Sequence, residues 1–441
     1  MSAADMPVSF HDLSRLDPEA RAALLRRAES DLGPFLDRVR PIVEAVRREG
    51  DAAVVRLARE IDGVDLPADG LAAREEDFER AFASLEPAVV EAIEFGVDNI
   101  RRFHQAQKPE PMWLHEIRPG AYAGERWTPI DSVACYVPRG KGSFPSVVMM
   151  TVVPAVVAGV PRVCVMTPPG PGGAFDAATL VAARIAGIDT VYRVGGAVAV
   201  AVAAHGTASI PRCHKIVGPG SPWVVAAKRL LAGELDTGIP AGPSESIVLA
   251  DPEADGRLAA LDLMIEAEHG PDSSAFLVTS SPDVARAAIA AIPEWLGHMG
   301  ESRAGFARQV LCGPRGGVVL APDMETACRF VDDYAPEHLL VHGPEPFQWL
   351  GRIRHAGEIL LGRHSPITLG NFVLGPNAVL PTSGWARTFS PLSTLDYMKR
   401  TGIGYVTADG YPELARHAGV LARYEGFDAH ANAVSALRGA R

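Results

Sequence analysis

Cysteine is scarce in this chain and badly placed for crosslinking. The 441 residues hold five, Cys135, Cys164, Cys213, Cys312 and Cys328. An odd number with no CxxC excludes a disulfide framework and a thiolate zinc site. Basic runs are missing as well. Lys and Arg are scattered and the net charge is −11, so a phosphate backbone finds no cationic surface and nucleic acid is excluded as a partner. No apolar h-region follows the polar, acidic N-terminus. The longest apolar stretch, "SVVMMTVVPAVVAGV", is broken by Pro154 and Gly159 and falls short of the roughly 20 residues of a membrane span. These absences lead to the expectation of a cytoplasmic enzyme acting on a small molecule.

What is present is globular in character. The chain is 47% hydrophobic and 22% charged, and its length suits two large units with smaller pieces. Residues 12–62 and "EEDFERAFASLEPAVVEAIEFGVDNIRRFHQAQ" carry apolar positions at helical spacing. From about Ser132 short β-branched runs, "SVACYV", "RVCVMT" and "TVYRV", alternate with Ala-rich helical segments. A second set, "SIVLAD", "SAFLVTS", "VVLAP", "LLVHG" and "EILLG", starts near Glu245, and the chain closes in helical "PELARHAGVLARYEGFDAHANAVSALRGA". That rhythm predicts an α/β fold of two parallel-sheet units with crossover helices and helical flanks.

Four stretches carry candidate chemistry. "FVDDYAPEHLLVHG" sets Glu337 beside His338 before an apolar run, an acid and a base side by side. "MIEAEHGPDSS" puts Glu266 and His269 three apart, on one helical face where both can grip an ion. ExxH also occurs on solvated helices. "HSPITLGNFVLGPNAVLPTSGWARTFSPLS" is long, Gly/Pro-rich and weakly periodic, as functional loops are. "YEGFDAHANAV" places Glu425 and His430 on a helix, not one turn apart. "VYRVGGAVAVAVAAHG" reads as strand, two glycines and helix. It is not GxGxxG, so a plain turn and a phosphate seat both remain open.

Seven blocks, "CYVPRGKGSFPSVVMM", "GPGSPWVVAAKR", "PAGPSESIVLAD", "AEHGPDSSA", "YAPEHLLV", "GPNAVLPTSG" and "EGFDAHANAV", occur in an order and spacing that resemble the histidinol dehydrogenase family. The resemblance implies a Zn2+ enzyme that uses NAD twice, taking a primary alcohol through a bound aldehyde to a carboxylate. It implies a homodimer with shared active sites, built of two incomplete Rossmann-like domains, one inserted in the other, and small N- and C-terminal helical domains. The corresponding boundaries are 1–30 for an N-terminal arm, 31–135 with 244–392 for one α/β domain, 136–243 for the other, and 393–441 for a dimerisation segment. Carried over by position, the metal ligands are Glu266, His269, Asn371 and His430. Glu337 and His338 are the acid–base pair, Ser244 and Glu425 are substrate contacts, and Tyr136 is a cofactor contact.

Departures from the family pattern narrow the expectation. Gln-Ala-Glu-His of the family is here Glu266-Ala267-Glu268-His269, and its Gly-Asp pair is Gly370-Asn371. One carboxylate is lost and one gained, so the formal ligand charge is kept. A family His near the substrate is Ala378, and two cofactor-contacting positions are Val198 and Ser221. This pattern resembles a subgroup that includes sulfopropanediol dehydrogenase, which points to 2,3-dihydroxypropane-1-sulfonate as substrate, with Arg139 or Lys141 holding its anionic end. The alternatives are L-histidinol as substrate, a thiohemiacetal route through Cys135, and a non-catalytic dimer stabilised by zinc.

Overall fold

The computed structural model describes residues 8–27, 32–139 and 142–439, with Ala68 described by its backbone alone. It divides into two units, one of residues up to Gln107 with Asp131–Tyr397, the other of Lys108–Ile130 with the chain from Met398. In the first unit the two strand sets form as expected, each as its own parallel sheet. One has the order Val191–Arg193, Arg162–Thr167, Ser132–Tyr136, Lys215–Val217. The other runs Phe10–Asp12, Gly316–Leu320, Ser274–Thr279, Glu245–Ala250, His338–His342, Glu358–Leu361. The central strands of the larger sheet are buried along their whole length. Their near-continuous apolar sequence is what two covered faces require.

Two boundaries differ from expectation. The first strand, Phe10–Asp12, pairs in parallel with Gly316–Leu320, so the N-terminal arm is an edge strand followed by the short helix Pro18–Leu24. The helices of residues 33–57 pack with the four-stranded sheet and not with the 244–392 set, while Pro87–Gln107 also meets that set, Asn99 Nδ2 donating to the carbonyl of Val373 at 2.8 Å. Val39, Val43, Val46 and Leu57 share one core with Ala134, Tyr136, Val200 and Val224. Each such apolar side chain contributes about 1.5–3 kcal/mol on burial, so the packing partner of these helices is set by that core. Helix Pro145–Ala158, apolar all round, is buried over most of its length, as a helix without a polar face must be.

In the second unit Met112–Arg118, Ala121–Pro129 and Met398–Val406 make a three-stranded antiparallel sheet. Helices Tyr411–Tyr424 and Asp428–Ala433 follow. Trp113, Ile117, Tyr405, Leu421, Tyr424 and Phe427 are exposed there in the single chain. No helix among the described residues is long and apolar enough to cross a membrane.

Close approach fixes one glycine. Gly218 follows strand Lys215–Val217 with φ +114°, and a β-carbon on it would lie 2.1 Å from the carbonyl oxygen of Tyr136. Its own carbonyl accepts a 2.8 Å bond from buried Lys228 Nζ. Gly218→Ala is expected to cost about 2–4 kcal/mol, strain and overpacking together. Chemical denaturation checks this; an unchanged midpoint would show that the two strand ends can part freely.

Candidate active site

The helix Gly256–Ala267 begins with Asp255, whose carboxylate accepts from the amides of Arg257 and Leu258. It runs back against its strand, so its C-terminal end lies at the amino edge of the six-stranded sheet. Glu266 sits in its last turn and His269 just beyond, where the helix carbonyls favour a cation. Glu266 is 1% exposed. Its Oε1 accepts a 3.1 Å bond from Asn371 Nδ2, and its Oε2 lies 3.2 Å from His269 Nδ1. Burial opposes ionisation of Glu266, but the imidazoles of His269 and His338 and hydrogen bonds from Asn371 and Ser244 outweigh it and hold its pKa below the usual glutamate value. His269 Nδ1 also meets the carbonyl of Ile265 at 3.0 Å. An imidazole N–H held in this way leaves Nε2 as the free donor nitrogen.

Glu337 and His338 enter from the neighbouring strand. The helix Met324–Tyr334 ends at Ala335 in a left-handed conformation, φ +50°, and the chain turns straight into His338–His342. Both side chains are buried. Glu337 Oε2 accepts a 2.9 Å bond from the amide of Glu245. Burial pushes the Glu337 carboxyl up to about 8, with the charges of Glu266 and Glu245 adding to the rise and His338 and the Glu245 amide opposing it. His338 Nε2 lies 4.0 Å from Glu266 Oε1, and its Nδ1 lies 3.0 Å from Glu358 Oε2. Burial disfavours its charged form, yet Glu266, the bond to Glu358 and the charge of Glu337 raise it to about 9.

Glu266, His269, Asn371, Glu337, His338 and Ser244 are therefore brought together. Ala378 is half-buried between Asn377, which donates to the carbonyl of Met150 at 2.6 Å, and Val379. Glu425 and His430 lie in the second unit, exposed in the single chain. Cys135 is wholly buried and its thiol is pushed up to about 12 by burial, so it cannot meet a substrate and the thiohemiacetal route is withdrawn.

A cavity of about 1050 Å³ opens at the carboxyl ends of the four-stranded sheet, and Tyr136, Val198 and Ser221 all line it. The strand order reverses beside Tyr136, with Arg162–Thr167 on one side and Lys215–Val217 on the other. Crevices at such points seat nucleotides in open parallel sheets. Gly195 and Gly196 present the start of the helix Gly196–His205 to the cavity, and the Gly196 amide donates to the Tyr136 hydroxyl at 3.3 Å. Arg139 lines the same cavity, its guanidinium against Gly170 and 3.3 Å from the carbonyl of Ala174. It therefore stands with this cavity and not with Glu266. Lys141 lies outside the described residues.

Two side chains escaped the reading of the sequence. Arg303 donates to the carbonyl of Glu268 at 2.9 Å, and its Nη2 is 3.8 Å from where a β-carbon on Gly142 would stand. It thus lies between Gly142 of the cavity wall and the turn that carries His269. Glu358 opens an otherwise apolar strand, "EILL", and is buried. An acid heading a buried strand was the available signal.

Comparison with known proteins agrees with this architecture. A family profile described as "Histidinol dehydrogenase" matches residues 25–438. "Histidinol dehydrogenase homolog 2" of Mesorhizobium japonicum is 62% identical, with 98% of each chain covered. "Histidinol dehydrogenase" of Synechocystis sp. is 44% identical over 96% of this chain and 97% of its own. The crystal structure of histidinol dehydrogenase from Elizabethkingia anophelis superimposes with a TM-score of 0.92 at 28% identity, covering 98% of both chains. A profile that spans nearly the whole chain, with relatives matched end to end, leaves one assignment: this protein belongs to the histidinol dehydrogenase family, a family of NAD-dependent dehydrogenases.

Proposed function

We propose that the protein oxidises a small polar primary alcohol, through a bound aldehyde, to the carboxylate, reducing two NAD+. The observation that carries this reading is the buried meeting of Glu266, His269 and Asn371 with the Glu337–His338 pair. The donor set suits zinc as far as it goes: a buried carboxylate, an imidazole with its other nitrogen tied to a carbonyl, and an amide oxygen. Among the described residues no three His, Cys, Asp or Glu side chains form such a site alone. The fourth donor in this reading is His430 of a second copy of the chain, in an assembled dimer. The apolar side chains exposed on that unit suit a buried dimer surface.

When bound, zinc supplies Lewis-acid polarisation of the reacting oxygen. His338 Nε2 takes the hydroxyl proton as hydride leaves the carbinol carbon for NAD+. Glu337 then takes a proton from the water that adds to the aldehyde, and a second hydride leaves for a second NAD+. The cavity lined by Tyr136, Val198 and Ser221 would hold the dinucleotide, with Arg139 and the start of the Gly196 helix available to its phosphates.

For the substrate, the first candidate is 2,3-dihydroxypropane-1-sulfonate, giving sulfolactate. Ala378 offers no hydrogen bond where histidinol would gain one, and a small diol has a neighbouring hydroxyl to replace the amine. L-Histidinol is the second reading, supported by the names of the relatives and of the solved structure. A panel of alcohols scored by NADH formation decides between them. The sulfonated diol should exceed L-histidinol in kcat/KM by at least about tenfold, the size of a lost polar contact; a higher value for L-histidinol than for every small diol would reverse the assignment.

The metal and the pair are tested separately. Glu266→Gln should weaken zinc binding about tenfold or more, and Glu266→Gln with Asn371→Asp should recover part of that loss by restoring the charge. Competition with a chelator measures both, and equal affinities would end the compensation argument. His338→Ala should lower alcohol oxidation about 10²–10⁴-fold, whereas Glu337→Gln should depress oxidation of supplied aldehyde more than that of alcohol. Wild-type rates in both variants would make the pair structural.

A further inference from the structure

Glu358 has no part in the reaction as described, yet its surroundings are built around it. It heads the strand Glu358–Leu361 and is 7% exposed. Oε2 meets His338 Nδ1 at 3.0 Å, while the equally buried Oε1 has no hydrogen-bond partner. A charge so placed is costly unless a specific partner compensates it. The parallel register aligns Glu358 with His338, so both side chains leave the sheet on one face. Gly370 keeps the space open: a β-carbon there would lie 2.7 Å from Oε1. On the far side of the imidazole, Nε2 faces Glu266 Oε1 at 4.0 Å.

We infer that Glu358 is the positioning residue for His338. An ionised carboxylate can only accept, so the Nδ1 that meets it carries the hydrogen, and the lone pair of the neutral ring then stands on Nε2, on the side of Glu266. This rests on His338 acting as the base. When Nε2 takes the hydroxyl proton, the ring becomes imidazolium and the Glu358 carboxylate balances it without accepting the proton, as carboxylates do for imidazoles elsewhere. Without Glu358 the ring is free to turn and to exchange tautomers, and Nε2 is available for a smaller part of the time. Glu358 therefore acts on the rate through His338, with no direct part in holding the substrate.

The test compares the full-length, zinc-loaded enzyme with Glu358→Gln, Glu358→Leu, His338→Ala and the double variant His338→Ala/Glu358→Leu, by kinetics and by crystal structure. Glu358→Leu should lower kcat for the alcohol about 10²–10⁴-fold, with KM and zinc content near wild type. Glu358→Gln keeps an uncharged acceptor and should recover part of the loss. In the His338→Ala background Glu358→Leu should cost almost nothing more, because the two act as a unit. The crystal structure of Glu358→Leu should show the imidazole turned, with the Glu266–Asn371 contact kept. Wild-type kcat in both Glu358 variants, or a full additional loss in the His338→Ala background, overturns the inference. If the wild-type enzyme oxidises no alcohol, it is the functional reading that fails; the ring orientation still decides this point, and an unmoved imidazole in Glu358→Leu refutes it.

Discussion

A single buried carboxylate organises this site. Glu266 touches Asn371 and His269, lies within 4.0 Å of His338, and is almost without solvent. Its charge is one of the influences that raise both His338 and Glu337. Any cation seated on Glu266 cancels that influence and lowers both, moving His338 toward its neutral, proton-accepting form and Glu337 toward its ionised one. Cation binding and acid–base readiness are therefore linked by electrostatics.

The fold gives that carboxylate its place. Glu245, Glu337 with His338, and Glu358 stand at the amino ends of adjacent strands, and the returning helix delivers Glu266 to the same edge. The cavity lies instead at the carboxyl ends of the four-stranded sheet. Arg303 spans from the cavity wall to the carbonyl of Glu268. In the proposed reaction opposite edges of the two sheets would work together, and each sheet keeps its own apolar core.

Much of this was legible in the sequence. Every β-branched run that was singled out became a strand, because parallel strands covered on both faces must be apolar throughout. The positions carried over from the family pattern lie together in the structure: Tyr136, Val198 and Ser221 line one cavity, and Glu266, His269, Asn371, Glu337 and His338 form one cluster. The three-stranded sheet was missed although "PG" between two extended runs marks its turn, with Gly120 at φ +74°. Most of its positions are exposed, so the apolar alternation that reveals a strand is weak. Phe10–Asp12 was hidden because its partner lies some 300 residues away in the chain, and three residues leave no periodicity to read. Val39 and Val43 are helical by pattern, but pattern alone does not say which sheet they cover.

The buried acids show why the site tolerates no casual change. Four carboxylates, Glu245, Glu266, Glu337 and Glu358, lie below one tenth exposure. Each is held differently: Glu245 by Arg27 at 2.9 Å and the Ser383 amide at 3.0 Å, Glu337 by the amide of Glu245, Glu358 by His338, and Glu266 by Asn371. Arg27 in turn stacks over Tyr334, whose hydroxyl meets Ser274 at 2.5 Å. Removing one partner from such a chain leaves a buried charge uncompensated, which costs more than the pair contributes. An apolar core of equal volume would be the more stable choice for a purely structural edge. Four acids around two histidines are in keeping with the proposed site, in which a cation would be held and protons moved beside it.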